Sequence, residues 1–402
     1  MPSAKAINIT VDVYPAKNGD CILVNYGRDR ERTIHLLIDC GYPDTVTNHL
    51  KQTLQKIAQV GEPLNKFILT HIDADHIQGA IKLLTDNNKE RFIEIDQIWF
   101  NSFRHLTPTF NGNATPEDIQ RTKQITRKGY PNLNESHSSE ISAEQGTTVG
   151  ALILQGKYSW NQDFGGKAVC IENSSKMDID ADGCLYLLSP NSKKLDALMS
   201  YWREELSRYG VKYSAGNSDL YDDAFEMLLA WENDMIKTKP KVISDLRKSL
   251  DALLKKDFDE DKTVTNGSSI AFILEIESSK LLFLADAHPD IIVESLKRYQ
   301  PVGKIFFDMV KVSHHGSFNN INSELLDRIE SGKFIFSTNG SRHNHPDKET
   351  IANIISRDNQ IHKTLYFNYE TSNSKFFDNE DWKSKYNYSI KYLAKDHYRL
   401  SI

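Results

Sequence analysis

One short stretch constrains this chain more than any other. Phe67-Ile68-Leu69 is an apolar run that reads as a buried strand and stops at Thr70. His71, Asp73, Asp75 and His76 follow within six residues, and Ile77 to Leu84 carries apolar residues at helical spacing. Four polar groups therefore sit in a strand-to-helix turn, where side chains at the end of a sheet can converge. Two carboxylates this close repel each other unless positive charge lies between them. Two imidazoles with two carboxylates suit divalent cations, and two cations more readily than one. The plainer reading is a helix start capped by Asp73 or Asp75. It would suit a lone His-x-Asp better than the full His-x-Asp-x-Asp-His pattern.

The 402 residues allow one large domain with insertions, or two domains, and are ample for a buried core. A hydrophobic share of 39% and a charged share of 26% are ordinary for a soluble globular chain. The net charge of −6 argues against a general nucleic-acid coat protein and leaves room for a local basic groove. The four cysteines, at 21, 40, 170 and 184, form no CxxC pair. Histidine and carboxylate are thus the ligands to expect, and a reduced cytoplasmic setting fits. No apolar leader opens the sequence, and no run approaches the ~18 apolar residues of a membrane span, so neither signal peptide nor span is expected.

In chain order, residues 6–13, 21–26 and 33–38 read as strands, with a turn-rich Asn18-Gly19-Asp20 loop after the first and an Asp39-Cys40-Gly41 turn after the third. Asp39 is either a turn former or a neighbour of the metal turn. A helix is expected over 44–60 and a strand over 93–100. His105, just past that strand, reads as a loop residue more readily than as a ligand. Residues 106–140 are polar, with a short helix near 116–128, and His137 falls in them as background. Residues 140–154 read as a helix, and 168–171 and 184–190 as strands. Over 191–262 the apolar residues take helical spacing, as in Leu195, Leu198, Trp202 and Leu206. This reads as two or three amphipathic helices inserted into the scaffold: a solvated surface, a lid or a docking face for a protein partner.

Strand patterns return after Thr263. Asn266-Gly267-Ser268-Ser269 precedes the strand 270–276, and the strand 280–285 ends in Asp286. That carboxylate could also cap the helix expected over 288–299, where His288 would be a first-turn residue. A strand over 306–312 ends in Ser313-His314-His315-Gly316-Ser317. A strand over 334–337 leads through Asn339-Gly340 to Ser341-Arg342-His343-Asn344-His345-Pro346 and a helix from 347 to 356. Short strands in 363–402 could close a second sheet.

His71-x-Asp73-x-Asp75-His76 resembles the metal-binding motif of the metallo-β-lactamase superfamily, usually His-x-His-x-Asp-His, with Asp73 in place of the second histidine. That variant is similar to the branch containing the soluble hydrolase domain of ComEC/Rec2 DNA-uptake proteins and the teichoic-acid phosphorylcholine esterases, and His314-His315-Gly316-Ser317 resembles the ComEC-like motif. The resemblance covers roughly residues 6–105 and 263–370. It implies a four-layer αββα sandwich, a single domain over 1–402 with 191–262 as a helical insertion. It also implies two divalent metal ions, Zn2+ and/or Mn2+, held by His71, Asp73, Asp75, His76, Asp286 and His315, with Asp286 bridging. His314 is then a phosphate contact or general acid, and His345 matches a rim position, although Ser341 stands where the family has asparagine.

The superfamily usually supplies another histidine before the bridging aspartate, and no histidine lies between 138 and 287. Asn266 occupies that place. The first metal would then have His71, Asp73 and Asp286 plus water, an oxygen-rich shell that favours Mn2+. The expected chemistry is hydrolysis of a phosphodiester in DNA, RNA or a nucleotide, with water activated by the cations. His314, helped by Asn266, Ser268 or His345, would stabilise the developing charge. Two alternatives stay open. One is hydrolysis of an ester or lactone. The other is a partner-binding subunit of a bacterial defence system whose metal site is structural.

Overall fold

Along the strand Ile22–Arg28, Leu23 faces one side while Ile22 and Val24 face the other, and both sides are buried. A strand covered on both faces must be apolar in near-continuous runs, as the runs at 34–38, 67–69 and 270–274 are. The computed structural model describes residues 6–28, 31–106, 115–126, 148–211, 221–229, 249–358, 360–393 and 398–402. It stacks two such sheets. The first has six strands in the order Arg399–Ser401, Ile7–Val13, Ile22–Arg28, Ile34–Ile38, Lys66–Ile68 and Ile98–Trp99. The second has eight, in the order Tyr388–Tyr392, Lys363–Phe367, Lys333–Phe336, Met309–Lys311, Ser279–Phe283, Ala271–Ile276, Gly183–Ser189 and Lys176–Asp178.

Three apolar clusters define the layers. Val11, Val24, Leu36 and Ile38 of the first sheet meet Leu185, Phe272, Leu281 and Phe283 of the second. The outer face of the first sheet, with Leu23, Leu37 and Phe67, is covered by Ile77, Ala80 and Leu84 of the helix Ala74–Glu90. The outer face of the second, with Ile273, Leu282 and Val310, is covered by the helices Pro289–Tyr299 and Lys348–Ser356. The chain is therefore a helix–sheet–sheet–helix sandwich, the αββα architecture that the motifs implied. No helix among the described residues is long and apolar enough to cross a membrane.

The 191–262 segment reaches both outer layers. The helix Ser192–Arg208, capped by Asn191, turns Leu198, Met199, Trp202 and Leu206 into the cluster on the outer face of the first sheet, joined by Phe225 and Leu228 from the helix at 221–229. Leu250 and Leu253, on the helix Leu250–Leu254, enter the other outer cluster. Trp231, Ile243 and Leu246 lie outside the described residues, as do His137 and residues 140–147 of the expected 140–154 helix, which is described as Val149–Gln155.

Three expected strands differ. Residues 168–171 form none, because Asn101 takes the ladder's place by donating to the Val169 carbonyl at 2.9 Å and accepting from its amide at 2.8 Å. The strand over 93–100 shortens to Ile98–Trp99. The strand over 306–312 breaks at Asp308. Ile305–Phe307 pairs in parallel with Ile329–Ser331, while Met309–Lys311 stays in the second sheet. At the C-terminus Lys363–Phe367 and Tyr388–Tyr392 extend the second sheet, but Arg399–Ser401 crosses to the first, beside Ile7–Val13.

What positions the site is direction. Ser279–Phe283, Met309–Lys311 and Lys333–Phe336 run parallel, as do Ile34–Ile38 and Lys66–Ile68. Their carboxyl ends carry Asp286, His314, His315, Asp39 and His71, the place where open α/β sheets bind ligands. Two glycines let these ends close up. A Cβ on Gly19 would stand 1.9 Å from the Asp75 carbonyl oxygen, and one on Gly79 would stand 2.1 Å from that of Cys40. Behind them the buried Lys311 ammonium pairs with buried Asp20 at 2.6 Å. Burial alone would raise the Asp20 pKa, but Lys311 overrides it and holds the carboxyl well below the usual range.

Removing Lys311 leaves Asp20 as a lone buried charge. Lys311→Met is expected to lose about 3–5 kcal/mol of unfolding free energy, read from urea midpoints. The double variant with Asp20→Asn should recover a large part of that loss. An unchanged midpoint in the single variant would show that the pair does not hold this corner.

Candidate metal centre

Asp73 occupies the cap position of the helix Ala74–Glu90 but makes no side-chain cap hydrogen bond. Asp286 does not cap the next helix either, because His288 holds that position. The plain capping readings thus leave both carboxylates unexplained. Asp286 Oδ2 instead lies 3.7 Å from His71 Nε2, 3.8 Å from His76 Nε2, 3.9 Å from His315 Nε2 and 3.6 Å from His314 Nε2. Asp73 lies 3.8 Å from His71 Nε2, and Asp75 3.7 Å from His315 Nε2. These spacings are too long for hydrogen bonds, which close at about 2.7–3.2 Å. They are near the ~3.4 Å edge of a tetrahedron whose donors stand ~2.1 Å from a central cation.

The imidazoles are aimed by their other nitrogens. His76 Nδ1 donates to Asp39 Oδ2 at 2.7 Å, and His315 Nδ1 donates to the Ser337 carbonyl at 2.9 Å. The Thr70 hydroxyl donates to Asp39 at 2.7 Å, so its oxygen is left to accept from His71 Nδ1 at 3.0 Å. Each ring then offers a lone pair at Nε2. The Nε2 atoms of His71, His76 and His315 are buried without a hydrogen-bond partner, as is Asp286 Oδ1. Buried polar atoms are seldom left this way, and three lone pairs facing one carboxylate call for cations. Among the described residues, two groups of donors have the required spacing: His71, His76 and Asp286, and Asp75, His76 and His315. A third, Asp20, Asp39 and His76, is already served by Lys311 and Thr70.

The carboxylates also bias protonation. Burial, then the neighbouring His76, lower the His71 pKa to about 3. Burial would lower His314 too, but Asp286 and then Asp261 outweigh it and raise its pKa to about 10. Burial opposes ionisation of Asp286, yet the surrounding imidazoles, His314 foremost, bring its pKa down to about 2.

Several supporting residues carry no motif of their own. Asn18 Nδ2 donates to Asp75 at 2.7 Å and its carbonyl accepts from Tyr42, so the Asn-Gly-Asp loop holds a ligand of the turn. Asp39, ambiguous in the sequence, orients His76. Asp261 accepts from Asn266 at 2.7 Å and from Asn320 at 3.1 Å. A carboxylate only accepts, so the Asn266 amino group donates one of its two hydrogens there, while its buried carbonyl oxygen has no hydrogen-bond partner. The Ser268 hydroxyl donates to Thr265 O at 2.6 Å, within its own turn. His288 props the same turn, donating to Thr263 O at 3.0 Å while Lys194 lies 3.0 Å from its other nitrogen.

The cleft over this cluster is lined by Asn18, Thr263, Asn266, Arg342, His343 and His345 around Asp73, Asp75, Asp286 and the His314-His315 pair. The His345 ring stands 5.5 Å from that of His314, and its Nδ1 lies 3.4 Å from Asp347. His105 packs against Trp160, ring centroids 4.6 Å apart, and accepts from the Ser102 amide at 3.1 Å. It takes no place at the cleft.

No family model and no curated protein matches the chain. Among solved structures it is similar to a long form RNase Z from yeast, with 10% identity, a TM-score of 0.34, and coverage of 90% of this chain and 36% of that one. It is also similar to a mutant of the β-hydroxylase CmlA, with 11% identity, a TM-score of 0.36, and coverage of 100% of this chain and 54% of that one. The chain spans about a third and about half of the lengths of those two proteins.

Asp39→Asn would turn an amino group or a weaker acceptor toward His76 Nδ1 and disturb the tautomer that frees Nε2. Divalent-metal affinity, measured by chelator competition, should fall about 10–100-fold with the circular dichroism unchanged. Wild-type affinity in this variant would remove Asp39 from the centre.

Proposed function

We propose that the chain is a dinuclear metal-dependent hydrolase of the metallo-β-lactamase type, in its ComEC-like branch, acting on a phosphodiester in DNA, RNA or a nucleotide. One observation carries the metal part: the buried, partnerless Nε2 atoms of His71, His76 and His315 converge on the Asp286 carboxylate. Asp73 and Asp75 complete the donor set beside them. When bound, two divalent cations would supply Lewis-acid polarisation of a phosphoryl oxygen and lower the pKa of an attacking water.

The chain's own residues do the rest. Asp39, Thr70 and Ser337 hold the imidazoles in the tautomer that leaves Nε2 open. Asn18 fixes the Asp75 carboxylate against rotation. Arg342 at the cleft supplies a planar cation of the kind that pairs two phosphate oxygens at once. His345, beside His314 and against Asp347, would contact the leaving group. The phosphodiester preference rests on Arg342, on these histidines and on the similarity of His314-His315-Gly316-Ser317 to the ComEC-like motif.

Metal-loaded protein is expected to cleave bis-p-nitrophenyl phosphate and at least one of single-stranded DNA, duplex DNA and RNA, with Mn2+ or Zn2+. Asp75→Ala and His315→Ala should each lower that rate by more than the ~100-fold typical of losing a supporting contact. Turnover of a lactone or thioester, with no phosphodiester cleaved, would replace this substrate class. Cleavage undiminished in both variants would end the reading altogether.

A further inference from the structure

We propose that His314 is a ligand of the first cation, so that the two adjacent imidazoles of His314-His315 divide between the two metal positions. This rests on the dinuclear reading above and concerns how its first site is completed. The sequence implies His71, Asp73 and Asp286 for that site, and no histidine lies between 138 and 287 to add a fourth protein donor.

The tautomer of His314 can be worked out from its neighbours. The Asn320 amino group donates to Asp261 Oδ2 and to the Asp286 backbone carbonyl, each at 3.1 Å. Both partners are pure acceptors, so the Asn320 oxygen is the atom 2.8 Å from His314 Nδ1. His314 Nδ1 therefore carries a hydrogen and donates it. In the neutral ring Nε2 is then a lone pair, and it faces Asp286 Oδ2 at 3.6 Å, the shortest of the four imidazole approaches to that oxygen. His71, His76 and His315 show the same arrangement, with Nδ1 spent on an acceptor and Nε2 turned to Asp286. His314 differs from these three in exposure, its side chain being 22% exposed, and shares with them the committed Nδ1 and the approach of Nε2 to Asp286.

The backbone gives a second, independent reason. His314 and His315 have φ of +44° and +54°, the left-handed region that side chains other than glycine disfavour by about 1–2 kcal/mol each. In an extended strand, neighbouring side chains point to opposite faces. Here the left-handed pair brings both rings to one carboxylate oxygen, and the His314 amide is tied to Ala285 O at 2.8 Å, next to Asp286 itself. Backbone strain of this kind persists where the surroundings over-determine it, and it clusters at ligand clamps.

On this proposal the first donor set would be His71, Asp73, Asp286 and His314, two nitrogens and two oxygens, with His76, which has the required spacing to both groups, given to the second. The second is Asp75, His76, His315 and the same Asp286. The two sites are then matched in donor type, and the first is not the oxygen-rich shell expected from the missing histidine. Matched sites should take the same borderline metal.

The test counts metal. Wild-type protein loaded with Zn2+ or Co2+ and freed of excess should carry two equivalents by elemental mass spectrometry. His314→Gly suits the left-handed backbone and removes the imidazole. It should keep one equivalent, with the other weakened at least about 10-fold, and its single-site Co2+ absorption should differ from that of His315→Gly. Asn320→Ala, which frees the ring without removing it, should weaken the same equivalent by less. Two equivalents at wild-type affinity in His314→Gly would overturn this assignment and leave the dinuclear reading standing. No tight metal in the wild type would bring down both.

Discussion

Everything at the working end of this molecule is arranged around one carboxylate oxygen. Asp286 Oδ2 is the point on which four imidazoles converge, and each of those rings is already committed on its far side. Lone pairs and a carboxylate repel at such distances in a dry setting, where Coulomb terms are several times stronger than in water. The arrangement stays put because the backing acceptors belong to the scaffold. The acceptors are a carboxylate at the end of Ile34–Ile38, a hydroxyl just past Lys66–Ile68, a carbonyl just past Lys333–Phe336 and an amide on the 318–320 turn. Turning any ring away would strand a donor against a buried acceptor, at a cost of about 1–3 kcal/mol.

The two sheets divide this work. The first contributes the His71–His76 turn with Asp39 behind it, and the second contributes Asp286 and the His314-His315 pair. The seam between them is stitched close to the site. Ile270 N donates to Thr70 O at 2.9 Å, Ser337 Oγ to Gly19 O at 2.8 Å, and Asn339 N to Lys17 O at 2.8 Å. Lys311 of the second sheet is paired with Asp20 of the first. A centre that draws ligands from both sheets needs the seam fixed to within fractions of an ångström, and these bonds fix it where the ligands cross.

How much of this could be read from the residues alone follows from what leaves a local signature. The sandwich was legible because strands buried on both faces must be apolar throughout, and because the strand runs end in chemically odd residues. His71, Asp73, Asp75 and His76 stand within six positions, and a doubled histidine before Gly-Ser is equally conspicuous. The supports were not legible. Asn18 reaches Asp75 across 57 positions, and Ser337 serves His315 through a backbone carbonyl that any residue would supply. A lone asparagine in a loop has no period and no fixed spacing to a ligand. The strand expected at 168–171, which the structure lacks, has the same cause. A side chain 68 positions away, Asn101, mimics a neighbouring strand, and apolar content cannot distinguish the two.

The supports of His314 show why residue type and place are insufficient without orientation. An asparagine can present either a donor or an acceptor, and the choice lies with its neighbour. Asp261, at the C-terminal end of the 191–262 segment and five positions before Asn266, draws the Asn266 amino group to itself as a carboxylate. The same Asp261 takes one Asn320 hydrogen, which turns the Asn320 oxygen to His314. One half-buried carboxylate thus orients two amides, and through Asn320 the nitrogen that His314 turns to Asp286. The last residues of the 191–262 segment are for that reason part of the site's support. The first helix of that segment reaches the turn around Asn266 from behind, through Lys194 and His288.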